Sequence, residues 1–147
     1  MKLILVVEDE YGNAEVMQLL LEAAGYRVVT ASNGQAALEV LSHEKPALIL
    51  SDFMMPTMNG GEFGMALRQQ PEPSQIPLVF MSGTSETVVR RTFRDYDAFL
   101  QKPFHVDALL DVVARLIEHG RPTPPSSEQV GDSMRHLLKG IHWPPQS

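Results

Sequence analysis

A chain of 147 residues, 44% hydrophobic and 20% charged, suits one soluble globular domain with an ordinary core and a short appendage. Its formal net charge of −6 argues against nucleic acid as a partner, since phosphate backbones require clustered Lys and Arg, and the absence of cysteine excludes disulfides and thiolate chemistry. The opening MKLILVV is interrupted by Glu8, Asp9 and Glu10 too early for a secretory signal, and no run approaches a membrane span, so a cytoplasmic protein with no membrane partner is expected.

Leu3 to Val7 is a short apolar, β-favouring run that ends in the acids Glu8 and Asp9. A helix is predicted from about Asn13 to Ala24, with Val16, Leu19, Leu20 and Ala23 at helical spacing and Gly25 as its stop. Arg27 to Ala31 reads as a second strand, Asn33 and Gly34 as a turn, and Gln35 to Ser42 as a helix with Ala37, Leu38 and Leu41 on one face. After Pro46, the run Ala47 to Leu50 reads as a strand buried on both faces of a parallel sheet. It leads into Asp52, and Pro56, Asn59, Gly60 and Gly61 then supply turn chemistry. Gly61 to Gln70 reads as a helix, Pro71 to Pro77 as a surface connection, and Leu78 to Met81 as a fourth strand ending at Ser82, Gly83 and Thr84.

Glu86 to Arg94 is the weakest helix of the set, because Thr87, Val88, Val89 and Thr92 are β-branched. Asp97 to Leu100 is a short fifth strand, followed by Lys102, Pro103 and Phe104. Val106 to His119 is a helix with the stripe Leu109, Leu110, Val113, Leu116 and Ile117, closed by Gly120 and Pro122. Five strands alternating with five helices predict an α/β fold, a doubly wound parallel sheet with right-handed crossovers.

Ligands of such sheets sit at the carboxyl ends of the strands, where Glu8, Asp9, Asp52, Ser82 and Lys102 fall in this reading. If the first and third strands are neighbours, their ends lie about 5 Å apart and three carboxylates share one pocket. At an effective dielectric near 20, like charges so placed repel by roughly 3 kcal/mol per pair. Such a cluster must protonate, splay apart or bind a cation, and Mg²⁺ is the natural choice. Lys102 adds a point charge able to pair with a phosphoryl group, and the Ser82 hydroxyl offers it a hydrogen bond. Singly, each residue has a plainer role: Asp9 as a helix cap, Ser82 as a turn serine, Lys102 as a solvated lysine. Together they suit phosphoryl transfer to an aspartate.

These marks, Glu8–Asp9, Asp52 followed by MMPTMNG, Ser82 and the Lys102–Pro103 pair, resemble those of a response-regulator receiver domain of two-component signalling, over Met1 to about His119. The resemblance implies a flavodoxin-like strand order 2-1-3-4-5 and a phosphoacceptor at Asp52. It implies Mg²⁺ held by Asp9, Asp52 and the backbone carbonyl of Met54, with Glu8 acting through water. Ser82 and Lys102 would hold the phosphoryl group, and Phe99 would be an aromatic switch, unless it is simply core. The Lys102–Pro103 bond is a candidate for cis geometry. The implied phosphodonor is a histidine kinase or a histidine phosphotransfer protein, and the output passes to a downstream protein target. Chemistry beyond self-phosphorylation and self-dephosphorylation is not expected, so the chain reads as a signalling receiver and not an enzyme.

The sequence also departs from the family pattern. The stretch between Ser82 and Lys102 is a couple of residues short, and Asp95–Tyr96 stands where Gly-Ala is common, so the fourth helix or the loop after it is predicted to be shortened. Met54 is apolar where many members carry a polar group, which is read as limiting the approach of water to an acyl phosphate. An aspartyl-phosphate-forming phosphatase is the rival enzyme, but it commonly needs a second acid at this same place. An unphosphorylated receiver-like scaffold is the other rival. The receiver is placed at residues 1–120. Residues 121–147 are read as a Pro-rich linker, RPTPPSS, and a short amphipathic helix with a capping box at Ser126 and Gln129 and an apolar face of Val130, Met134, Leu137, Leu138 and Ile141. That face, with Trp143 nearby, is expected to dock on the domain's signalling face or to form a homodimer with a second copy.

Overall fold

The structure, a computed structural model, describes residues 1–55 and 58–121. Pro56, and the linker and helix expected beyond Arg121, lie outside the described residues. The elements run β1 (Leu3–Val7), α1 (Tyr11–Ala23), β2 (Arg27–Ala31), α2 (Gly34–Leu41), β3 (Leu48–Asp52), α3 (Gly60–Arg68), a 3₁₀ turn at Pro73–Gln75, β4 (Leu78–Ser82), α4 (Glu86–Thr92), β5 (Ala98–Gln101) and α5 (Val106–His119). Every ladder is parallel and the strand order is β2-β1-β3-β4-β5, the flavodoxin-like order expected.

The pleat sorts each strand's side chains to opposite faces. Ile4, Val6, Leu48 and Leu50 pack under α1 and α5, against Met17, Leu21, Leu109 and Val113. Leu5, Val7, Ile49 and Phe80 face the other way, toward α2, α3 and α4. Both faces are therefore covered, which is why β1, β3 and β4 read as unbroken apolar runs rather than alternating ones.

Three element ends differ from the sequence expectation in ways that bear on the site. β3 continues through Asp52, so the carboxylate is the last residue of a strand and inherits its rigidity. The first helix starts at Tyr11 with Glu10 as its N-cap and no side-chain cap bond, so Asp9 is not spent on capping. α4 ends at Thr92, not Arg94, because Phe93 turns to extended backbone at φ −156° and ψ 135°. Its ring then lies on α3 at Gly64, where a methyl group would come within 2.5 Å of the Phe93 ring. Gly60 permits a second close approach, since a Cβ there would sit 2.8 Å from the Cα of Phe53. α3 is thereby held hard against the residue that follows Asp52.

Candidate functional site

β1 and β3 lie side by side, paired up to Val7 and Ser51, so the next residue of each, Glu8 and Asp52, emerges at the same level of the sheet. Backbone bonds fix these ends: Glu8 N donates to Ala31 O at 3.0 Å, Phe53 N to Met81 O at 3.0 Å, and Lys102 N to Ser82 O at 2.8 Å. Glu8 is 4% exposed, Asp52 8% and Ser82 1%, while Asp9 is open to solvent. The carboxylate oxygens of Glu8, Asp9 and Asp52 lie within 4.8 Å of one another. Lys102 reaches over from the end of β5, its Nζ 3.5 Å from Glu8 Oε1 and 3.6 Å from Asp52 Oδ2. The Lys102–Pro103 peptide bond is cis.

Three carboxylates face one ammonium here, and Glu8 is the most deeply buried of the three. Burial, and then the charge of Asp52, push its carboxyl up to about 7 against the opposing pull of Lys102. A hard, all-oxygen donor set with uncompensated negative charge fits a divalent cation such as Mg²⁺, which takes one or two carboxylates and keeps several waters. Ser82 Oγ accepts a bond from Thr84 N at 3.0 Å, which leaves its own proton available to donate. Met54, two residues after Asp52, is 60% exposed. Phe99 is fully buried on the face that carries Phe80, its ring centroid 6.5 Å from that of Tyr96.

Residues 4–114 match the family model of the response regulator receiver domain. The chain belongs to that family. This receiver is 38% identical over 119 residues to the response regulator Rre1 of Synechocystis, an alignment covering 78% of the chain and 51% of that protein. It is 34% identical over 135 residues to the alkaline phosphatase synthesis transcriptional regulatory protein PhoP of Bacillus subtilis, covering 90% and 55%. The chain thus spans about half the length of the curated relatives it matches.

Among solved structures, this receiver resembles the signal receiver domain of a histidine kinase from Syntrophus aciditrophicus, with a TM-score of 0.77 at 34% identity, covering 86% of this chain and 97% of that one. It also resembles the response regulator TrrA of Thermotoga maritima, solved in complex with Mg²⁺ and BeF, with a TM-score of 0.72 at 28% identity and coverage of 79% and 99%. Among the described residues, no helix is long and apolar enough to cross a membrane.

Three arrangements were not anticipated from sequence. Asn59 and Glu62 form a reciprocal cap of α3, with bonds of 2.9 and 3.1 Å, and Gly60 N donates to Phe53 O at 2.8 Å to close the loop after Asp52. The Asn-x-x-Glu spacing was the available signal, split between Asn59, read as a turn, and Glu62, read as helix. At the opposite end of the sheet, Asp97 receives both Arg68 and Arg121 at 3.0 Å. Tyr96 donates its hydroxyl to Glu86 Oε2 at 2.7 Å. Neither of these has a local pattern to betray it.

Proposed function

We propose that this receiver accepts a phosphoryl group on Asp52 from the phosphohistidine of a histidine kinase or histidine phosphotransfer protein, and signals through contacts with another protein. A single observation carries the reading: the three carboxylates of Glu8, Asp9 and Asp52 gathered within 4.8 Å, with Lys102 within 3.6 Å of two of them. The Mg²⁺–BeF complex of the Thermotoga relative supports it by family.

In this mechanism a carboxylate oxygen of Asp52 attacks phosphorus, the P–N bond to imidazole breaks and the P–O bond of an acyl phosphate forms. Asp9, Asp52 and the Met54 carbonyl would hold Mg²⁺ directly, and Glu8 through water. When bound, the cation neutralises negative charge as the phosphoryl group arrives. The chain's own groups do the rest. Lys102 exchanges its present partner carboxylates for a phosphoryl oxygen, and Ser82 donates its free hydroxyl proton to another. Rigid strand ends hold these groups in place, so positioning and charge neutralisation supply the catalysis.

The test is intact-mass analysis after incubation with Mg²⁺ and acetyl phosphate. The parent is expected to gain one phosphoryl group, and to gain none without Mg²⁺ or as Asp52→Asn. Uptake that persists in Asp52→Asn overturns the assignment of the acceptor, and no uptake by the parent favours the unphosphorylated scaffold.

Met54 bears on the lifetime of the product. An apolar side chain two residues from the acyl phosphate gives attacking water no hydrogen-bond partner, whereas an Asn amide there could orient it. Such a bond is worth about 0.5–1.5 kcal/mol, so Met54→Asn is expected to speed loss of phosphate by about two- to tenfold. The check is the decay of the phosphorylated mass peak after removal of the donor. Equal decay in parent and variant counts against a shielding role.

A further inference from the structure

α4 has seven residues, of which Thr87, Val88, Val89 and Thr92 are β-branched. Val89 is its buried side chain, and Ser85 supplies no side-chain cap bond. A helix so built opens easily unless something outside it holds it down. Tyr96 does this from the segment just before β5. It is 2% exposed, its ring packs 5.3 Å from Phe80 and 6.5 Å from Phe99, and its hydroxyl donates to Glu86 in the first turn of α4. Phe80 in turn meets Phe53, the neighbour of Asp52, edge to face at 5.3 Å. Ring contacts therefore run from the residue beside the acid pocket to Tyr96, and its hydroxyl completes the path to α4.

The loop between Ser82 and Glu86 has little slack. Lys102 N holds the Ser82 carbonyl at 2.8 Å and Gln101 Nε2 holds that of Gly83 at 2.9 Å, while Glu86 is fixed by Tyr96 four residues beyond Ser82. Any shift of Ser82 toward a phosphoryl group on Asp52 pulls on that tether. We infer that Tyr96 is a positioning residue whose hydroxyl latches α4 to the segment leading into β5, and that the latch sets how readily Asp52 is phosphorylated. This rests on the phosphoacceptor reading of Asp52. By linkage, if loosening α4 favours the phosphorylated state, phosphorylation loosens α4 by the same factor.

Hydrogen exchange on the full chain, with the time course of phosphoryl gain from acetyl phosphate and Mg²⁺, tests the latch. In Tyr96→Phe, which removes the hydroxyl alone, the amides of α4 are expected to exchange roughly two- to tenfold faster while those of α1, α2 and α5 keep parent rates. Glu86→Ala should exchange at least as fast. Glu86→Gln, which loses the charge but keeps an acceptor oxygen, should stay near the parent. Tyr96→Phe should also gain its phosphoryl group faster than the parent. Unchanged exchange in α4, acceleration spread evenly over all helices, or faster α4 exchange with an unaltered rate of phosphorylation each overturns the latch. A parent that takes up no phosphoryl group removes instead the reading on which the latch rests, and the regulatory claim with it.

Discussion

Without a divalent cation, this receiver is expected to lose about 2–3 kcal/mol of stability as the pH rises from 4.5 to 7, and to regain it on addition of Mg²⁺. The unfolded chain ionises Glu8 near 4.5, but the folded chain delays this to about 7, chiefly by burial and then by the charge of Asp52. Between these values the native state binds more protons than the unfolded state, so stability falls with rising pH. Below the window both states are protonated at Glu8, and above it both are ionised and the loss is complete. A cation among the three carboxylates reverses the penalty, so Mg²⁺ should stabilise more at pH 7.5 than at pH 5. Urea unfolding in EDTA and in Mg²⁺ at the two pH values measures this, with Glu8→Gln as the variant in which the metal-free slope flattens. A metal-free midpoint that rises across the window in the parent, or a slope that Glu8→Gln leaves untouched, rules out Glu8 as the source.

Asp97→Ala is expected to cost about 3 kcal/mol, the penalty for leaving the buried Arg68 charge without its buried counter-charge. Asp97 Oδ2 accepts from Leu78 N at 2.8 Å and Arg68 Nη2 at 3.0 Å, and Oδ1 from Arg121 Nε at 3.0 Å. The Arg68 side chain is 9% exposed, and burial already draws its guanidinium below the ordinary value against the opposing charge of Asp97. Carbonyls of Ser74, Ile76 and Asp95 remain as its partners at 3.0, 2.8 and 2.9 Å, and the only carboxylate left to it is that of Asp95, 3.6 Å from Nε and 54% exposed, which water screens. Arg121 is more exposed, and Asp97 keeps its bonds from Arg68 and Leu78 N when Arg121 is removed, so Arg121→Ala should cost about 1–2 kcal/mol. The measure is the shift in urea midpoint. A loss for Asp97→Ala no larger than that for Arg121→Ala would show that the buried pair with Arg68 contributes little.

The strands were legible because a sheet covered on both faces must be apolar at every position, and the runs LILVV and LVFM have no amphipathic alternative. The strand-end residues Glu8, Asp52 and Ser82 were legible for the complementary reason, since a polar group closing such a run can only meet others at the same sheet edge. Helix ends were less so. α4 stops early not through its own composition but because Phe93 is drawn onto Gly64, a contact between elements 29 residues apart. The same holds for Tyr96, which in sequence was merely a large residue where a small one is common. Its meaning depends on the space left under a short helix and on Glu86 lying across that space. Asp97, Arg68 and Arg121 were each unremarkable in their own segments, because an ion pair between distant residues leaves no periodic trace.

The Arg121 clamp also fixes a geometry. It holds its residue to Ser74, Asp95 and Asp97, beside the amino ends of β4 and β5, whereas Asp52 and Ser82 close the carboxyl ends of β3 and β4. A strand of five residues separates the two poles by roughly 15 Å. A fluorophore placed at exposed Gln75, next to the clamped Ser74, is therefore moored to a stationary reference point, remote from the acid pocket. Paired with a second label on α4, it would act as a ruler whose reading changes only when that helix moves.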